Sequence, residues 1–125
     1  VLLACRFTVA EADASAFTDR VAKALALLTA QPGVRAGRLT RSTDQHDLFL
    51  LTVEFESVPA YRRALSPFEV REAVVPLLST AHPEPSAFEP LLDAESGDVR
   101  QSESLVAADA FTVRLGEAAG PTTAR

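Results

Sequence analysis

An α+β fold, one antiparallel sheet with helices on one face, is predicted by three features of this chain. Leu2 to Val9 and Leu48 to Glu56 are rich in β-favouring residues. In the second segment Phe49, Leu51, Val53 and Phe55 share one face, while Leu50, Thr52, Glu54 and Glu56 share the other. Phe17, Val21, Leu25 and Leu28 recur between these segments at helical spacing. The full order reads strand, helix, strand, strand, helix pair, strand, which is the split βαβ, ferredoxin-like arrangement.

Each element has its own local reason. Strand one covers Leu2 to Val9, and Asp13 or Ser15 is placed to cap the first helix. That helix should end before Pro32-Gly33, a pair suited to a turn. Val34 to Ser42 forms strand two, the turn formers TDQHD follow, and Leu48 to Glu56 closes a hairpin. Ser57 caps a short helix that tolerates Pro59 in its opening turn. Ser66-Pro67-Phe68-Glu69 offers a capping box for the next helix, whose apolar stripe is Val70, Val74, Leu77 and Leu78. Pro76 cannot donate to the carbonyl of Glu72 and should kink or end that helix. Pro83 and Pro85 stop any continuation, and Ser86 to Leu92 reads as strand four. Residues 1–92 therefore form the predicted domain. Residues 93–125 form a C-terminal extension, polar at first, with Phe111, Val113 and Leu115 alternating like a strand. It is expected to pack as an arm on the core or on a dimer partner.

Composition narrows the function. The 125 residues suffice for one domain with a real core, and 47% hydrophobic with 23% charged residues is ordinary for a globular protein. A net charge of -5 gives no basic footprint, which argues against nucleic acid and against anionic membranes as partners. The apolar opening VLLA is broken by Arg6, so it is expected to be a strand rather than a signal or membrane segment. The single cysteine cannot build an intrachain disulfide framework and fits a reducing, cytoplasmic setting. One face of the sheet would remain open, and a second copy of the chain is its natural cover.

The motifs RFTV, QPGV, EFESVPAYRRALSP and EPSAFE, in this order and spacing, resemble the antibiotic-biosynthesis monooxygenase family of dimeric α/β barrels. The resemblance runs over about Val1 to Leu92. It implies a homodimer that oxidises an aromatic or polycyclic phenol, anthrone or quinol with molecular oxygen. It also implies that neither metal nor flavin cofactor is needed, because the substrate supplies the electrons. Such enzymes often carry a tryptophan near the end of strand three, an asparagine four residues earlier and a tyrosine six residues later. The matching positions here are Phe55, Leu51 and Tyr61. Many members also have a histidine after the Ser-Pro of the helix start, where this chain has Phe68. A non-catalytic binding or structural dimer and an isomerase or cyclase that uses no oxygen are the alternatives.

The candidate chemistry follows. The phenol of Tyr61 could donate a hydrogen bond to a substrate oxygen and stabilise charge on it, with Phe55 stacking on a ring. His82, at the exit of the last helix, is the candidate general base, or else a cap on the final carbonyls. Arg6 could neutralise an enolate or carboxylate, or form a surface ion pair with a residue such as Glu54 or Glu56. Leu51 and Phe68 would complete the substrate walls. Cys5 reads as a small buried strand residue. The two histidines are far from each other and from Cys5 in sequence and match no metal-ligand motif, so no metal site is legible.

Overall fold

The computed structural model describes residues 1–102. They divide into two units, Val1–Phe88 and a second that begins at Glu89. In the first, strands β1 (Leu2–Thr8), β2 (Val34–Arg41), β3 (Leu48–Phe55) and β4 (Ala87–Phe88) alternate with helices α1 (Ala14–Thr29), α2 (Val58–Ala64) and α3 (Phe68–Leu78). The sheet order is β2-β3-β1-β4, and every neighbouring pair is antiparallel. This is the ferredoxin-like α+β architecture.

Alternation along the strands decides what is inside. Leu3, Cys5 and Phe7 of β1 and Phe49, Leu51, Val53 and Phe55 of β3 are all buried against one apolar cluster. Phe17, Val21, Ala24 and Leu28 of α1 and Val70, Val74 and Leu77 of α3 supply its other wall. Phe17 bridges strands and helix, with ring centroids 5.0 Å from Phe7 and 5.4 Å from Phe49. Tilted ring pairs of this kind add to the stabilisation that area burial already gives. The opposite side chains of β1 and β3, among them Leu2, Ala4, Leu48 and Leu50, lie on the outer face, and Phe88 joins them through its pairing with Leu2.

Two close approaches fix where the helices sit. At Gly37 a Cβ would lie 2.7 Å from Leu25 Cδ2, so α1 rests directly on β2. Gly33 has φ of +83° and leaves room for Ala60, whose Cβ would be 2.6 Å from a Cβ at that position. Its carbonyl accepts the Glu56 amide at 2.8 Å. Glycine is required there both by conformation and by space.

Several local expectations need correction. Ser57 does cap α2, accepting the Ala60 amide at 3.1 Å. Ser66 does not cap α3: Pro67 occupies the cap position, and the Ser66 hydroxyl turns back to donate to the Arg63 carbonyl. No side-chain cap bond forms at Asp13 either, where a short 3-10 turn, Glu11–Asp13, leads into α1. Helix α3 continues through Pro76 and stops two residues later, at Leu78, so the proline costs the Glu72 carbonyl its amide donor without breaking the helix at that point. Strand four shrinks to Ala87–Phe88, because Pro85 and Pro90 flank it and have no N–H for a ladder.

The polar stretch after it is no featureless tail. Strands β5 (Leu92–Glu95) and β6 (Asp98–Gln101) form a hairpin around Ser96 and Gly97, both at positive φ. That is the backbone geometry two-residue hairpin turns require. The alternating stretch Phe111, Val113 and Leu115 lies outside the described residues. Among the described residues no helix is long and apolar enough to cross a membrane.

Candidate functional site

Beyond α3 the chain runs back along the free edge of β1, and this edge builds the site. The His82 amide donates to the Arg6 carbonyl at 2.8 Å, and the Ala4 amide donates to the Ser86 carbonyl at 2.7 Å. Between these two bonds stand Pro83 and Pro85, which have no amide hydrogen to give. The edge strand therefore opens into a bulge instead of zipping onto β1. A cleft of about 270 Å³ results, lined by Ala4, Cys5, Leu78, His82, Glu84 and Ser86 among others.

Side chains hold the bulge in place. Arg6 grips Glu84 with two hydrogen bonds, Nε to Oε2 at 2.8 Å and Nη2 to Oε1 at 2.9 Å. Those bonds, more than simple charge attraction, hold the Glu84 carboxyl below the ordinary carboxylate range. The His82 ring shares a 2.7 Å hydrogen bond with Thr8 through Nε2. Cys5 lies with its thiol pushed up by burial, an effect that a hydrogen bond with Ser86 opposes. The thiol is therefore a poor nucleophile at neutral pH.

The six residues singled out from the sequence fall in three places. Arg6 and His82 meet at the β1 edge. Leu51 and Phe55 are 1% and 2% exposed, so neither presents surface to a solvent-sized molecule in this chain. Tyr61 is half-buried on α2 and stands edge-on to Phe55, with 5.1 Å between ring centroids and 75° between planes. Among the described residues its hydroxyl has no hydrogen-bond partner. Phe68 is 67% exposed at the start of α3. Arg6 finds Glu84 rather than Glu54 or Glu56, and Arg41 lies over the Phe49 ring at 4.8 Å. Glu84 and Ser86 line the cleft, and Thr8 holds His82, although the sequence marks none of the three as a site residue. Only the proline pair beside His82 signalled an interrupted edge. A second depression, about 310 Å³, lies on the surface between α1 and α3 and is lined by Lys23, Leu27, Glu69, Glu72 and Ala73.

A sequence model of the antibiotic biosynthesis monooxygenase family matches residues 1–75. The chain belongs to this family. Among solved structures it is similar to SnoaB, a cofactor-independent oxygenase from Streptomyces nogalater. Identity is 26%, the match covers 72% of this chain and 94% of SnoaB, and the TM-score is 0.56. A conserved protein from Methanosarcina mazei has the same fold at 10% identity, with 69% of this chain and 84% of that one covered and a TM-score of 0.57. No curated protein matches the chain.

Proposed function

We propose that this protein is a cofactor-independent monooxygenase of an aromatic or polycyclic phenol, anthrone or quinol, with its substrate in the cleft at the β1 edge. The likeness to SnoaB, which spans nearly all of that oxygenase, carries the reaction class. In such a reaction a ring methylene becomes a carbonyl, one oxygen atom of O2 enters the product, and the other leaves as water. All the electrons come from the substrate, so the protein must take a proton, hold the resulting anion and keep it oriented.

His82 is the group with the geometry for the proton. When Nε2–H donates to Thr8, Nδ1 keeps its lone pair and can accept from a substrate hydroxyl or an acidic C–H. Thr8 thereby fixes the ring orientation. The thiol of Cys5 and the hydroxyl of Ser86, on the same walls, offer weak polar contacts to the substrate body. Tyr61 is not among the residues that line this cleft.

A second reading, a binding dimer without catalysis, is favoured by one observation. Leu51 and Phe55 fill with close-packed side chain the positions where the resemblance leads one to expect a substrate wall. Oxygen uptake separates the two. With an anthrone substrate the wild-type protein should consume oxygen in proportion to product, and His82→Gln should abolish most of it. Product without oxygen uptake would identify an isomerase or cyclase, and tight binding without turnover the non-catalytic dimer.

The working unit we propose is a homodimer closed over the outer sheet face. That face carries Leu2, Ala4, Leu48, Leu50 and Phe88, the last of them 49% exposed. An apolar sheet face of this kind is usually covered. Light scattering at micromolar concentration should give the mass of two chains, and Leu50→Asp should give the mass of one. A wild-type monomer would defeat the proposal.

A further inference from the structure

The walls of the β1-edge cleft bring together one carboxylate, one thiol, two serine hydroxyls and one imidazole. The carboxylate, Glu84, has both oxygens engaged by Arg6, although a third of its side-chain surface remains exposed. The thiol of Cys5 stays protonated because burial disfavours its anion. A cationic ligand would meet a carboxylate already neutralised, and an anionic one would face that carboxylate at a wall whose nearby guanidinium is committed.

We propose that the Arg6–Glu84 pair sets the charge preference of the cleft, so that the site takes an uncharged, hydroxyl-bearing small molecule over its cationic or anionic analogue. The proposal rests on the cleft being the substrate site, and it goes further by naming what selects the ligand. The bidentate geometry matters, because a single contact would leave one carboxylate oxygen free to recruit a cation. Removing the guanidinium therefore does more than weaken a surface ion pair. It leaves an unmatched negative charge on the wall of a small pocket, and a cationic ligand gains on the neutral one.

The test compares three probes of one shape: 1-naphthol, protonated 1-naphthylmethylamine and 1-naphthoate. Calorimetric titration of the wild-type chain should show naphthol binding at least about tenfold more tightly than either ion, equivalent to about 1.4 kcal/mol. In Arg6→Met the amine should gain about tenfold, and naphthol should change by less than about threefold. The double variant Arg6→Met/Glu84→Gln should return to the wild-type ranking. A third variant, Ser79→Trp, places bulk at the cleft rim from an exposed position and should weaken all three probes. A wild-type ranking that survives in Arg6→Met, with binding still sensitive to Ser79→Trp, would overturn the role of the pair while leaving the cleft as the site. Binding indifferent to Ser79→Trp, or no binding of any probe, would overturn the cleft as the site and the proposal with it. Far-UV spectra of the variants establish that each is folded.

Discussion

Thr8 and His82, 74 positions apart in sequence, share a hydrogen bond of 2.7 Å between Oγ1 and Nε2. Thr8 is on the outer face of β1, and His82 leaves α3 through a turn that brings its amide to the Arg6 carbonyl. Backbone and side chain thus fix the imidazole from two directions. Thr8→Val keeps the shape and removes the hydroxyl. An uncharged hydrogen bond contributes about 0.5–1.5 kcal/mol, so the oxygen-uptake rate should fall about two- to tenfold. KM should stay nearly constant, and the His82 Nε2 ¹⁵N resonance should shift as it loses its hydrogen-bond partner. An unchanged rate with an unchanged resonance would remove Thr8 from the mechanism.

The Arg6–Glu84 pair makes the 82–88 segment sensitive to acid. The folded carboxyl is held below its ordinary range, chiefly by the hydrogen bonds from Arg6. The stability this provides is therefore present above the ordinary carboxylate range and is lost as pH falls through the folded value. Hydrogen-exchange protection of the His82 and Ala4 amides should decline over that acid window. Arg6→Met should lose the same protection already at neutral pH. Equal protection in the variant and the wild type would show that the proline-flanked backbone holds the segment unaided.

Leu51 and Phe55 are core residues in this chain, whatever their positions hold in relatives. Leu51→Ala should destabilise by about 2–5 kcal/mol and Phe55→Ala by about 3–5 kcal/mol, from lost burial and the cavity left behind. Phe68→Ala, at a site 67% exposed, should change stability by less than about 0.5 kcal/mol. Urea denaturation would measure all three. A mild effect at Leu51 or Phe55 would mean that those positions border empty space.

Gly33→Ala should be costly despite its small size. The new methyl would have to coexist with Ala60, 2.6 Å away, at a φ of +83°. Steric pressure and left-handed backbone strain together should lower stability by about 1–3 kcal/mol. Gly33→Ala/Ala60→Gly should recover the steric part and retain the conformational part. A thermal melt that leaves Gly33→Ala at the wild-type midpoint would contradict the close approach of α2 to the start of β2.

The sequence carries the fold far more openly than the site. Alternation in β3 assigns Phe49, Leu51, Val53 and Phe55 to one face because strand periodicity is local, and Ser57 declares its helix start for the same reason. The cleft depends on pairings no local rule contains: Arg6 meets Glu84 from 78 positions away, and Thr8 meets His82 only after α3 has turned the chain back. The prolines near strand four were visible, yet their consequence, an opened edge, requires knowing that β1 is the neighbour. The Ser96-Gly97 turn and its two strands have no counterpart in the sequence reading. A strongly polar composition hid them, since all eight residues of β5 and β6 are exposed and no apolar burial pattern marks them as strands.

A titration with 1-naphthol followed by backbone amide shifts decides most directly where the ligand goes. Shifts concentrated at Ala4, Ala81, His82 and Ser86 would place it in the β1-edge cleft, and this is the expected result. Shifts concentrated at Leu51, Phe55 and Tyr61, with the cleft residues unmoved, would return the ligand to the space between sheet and helices and remove His82 from the chemistry.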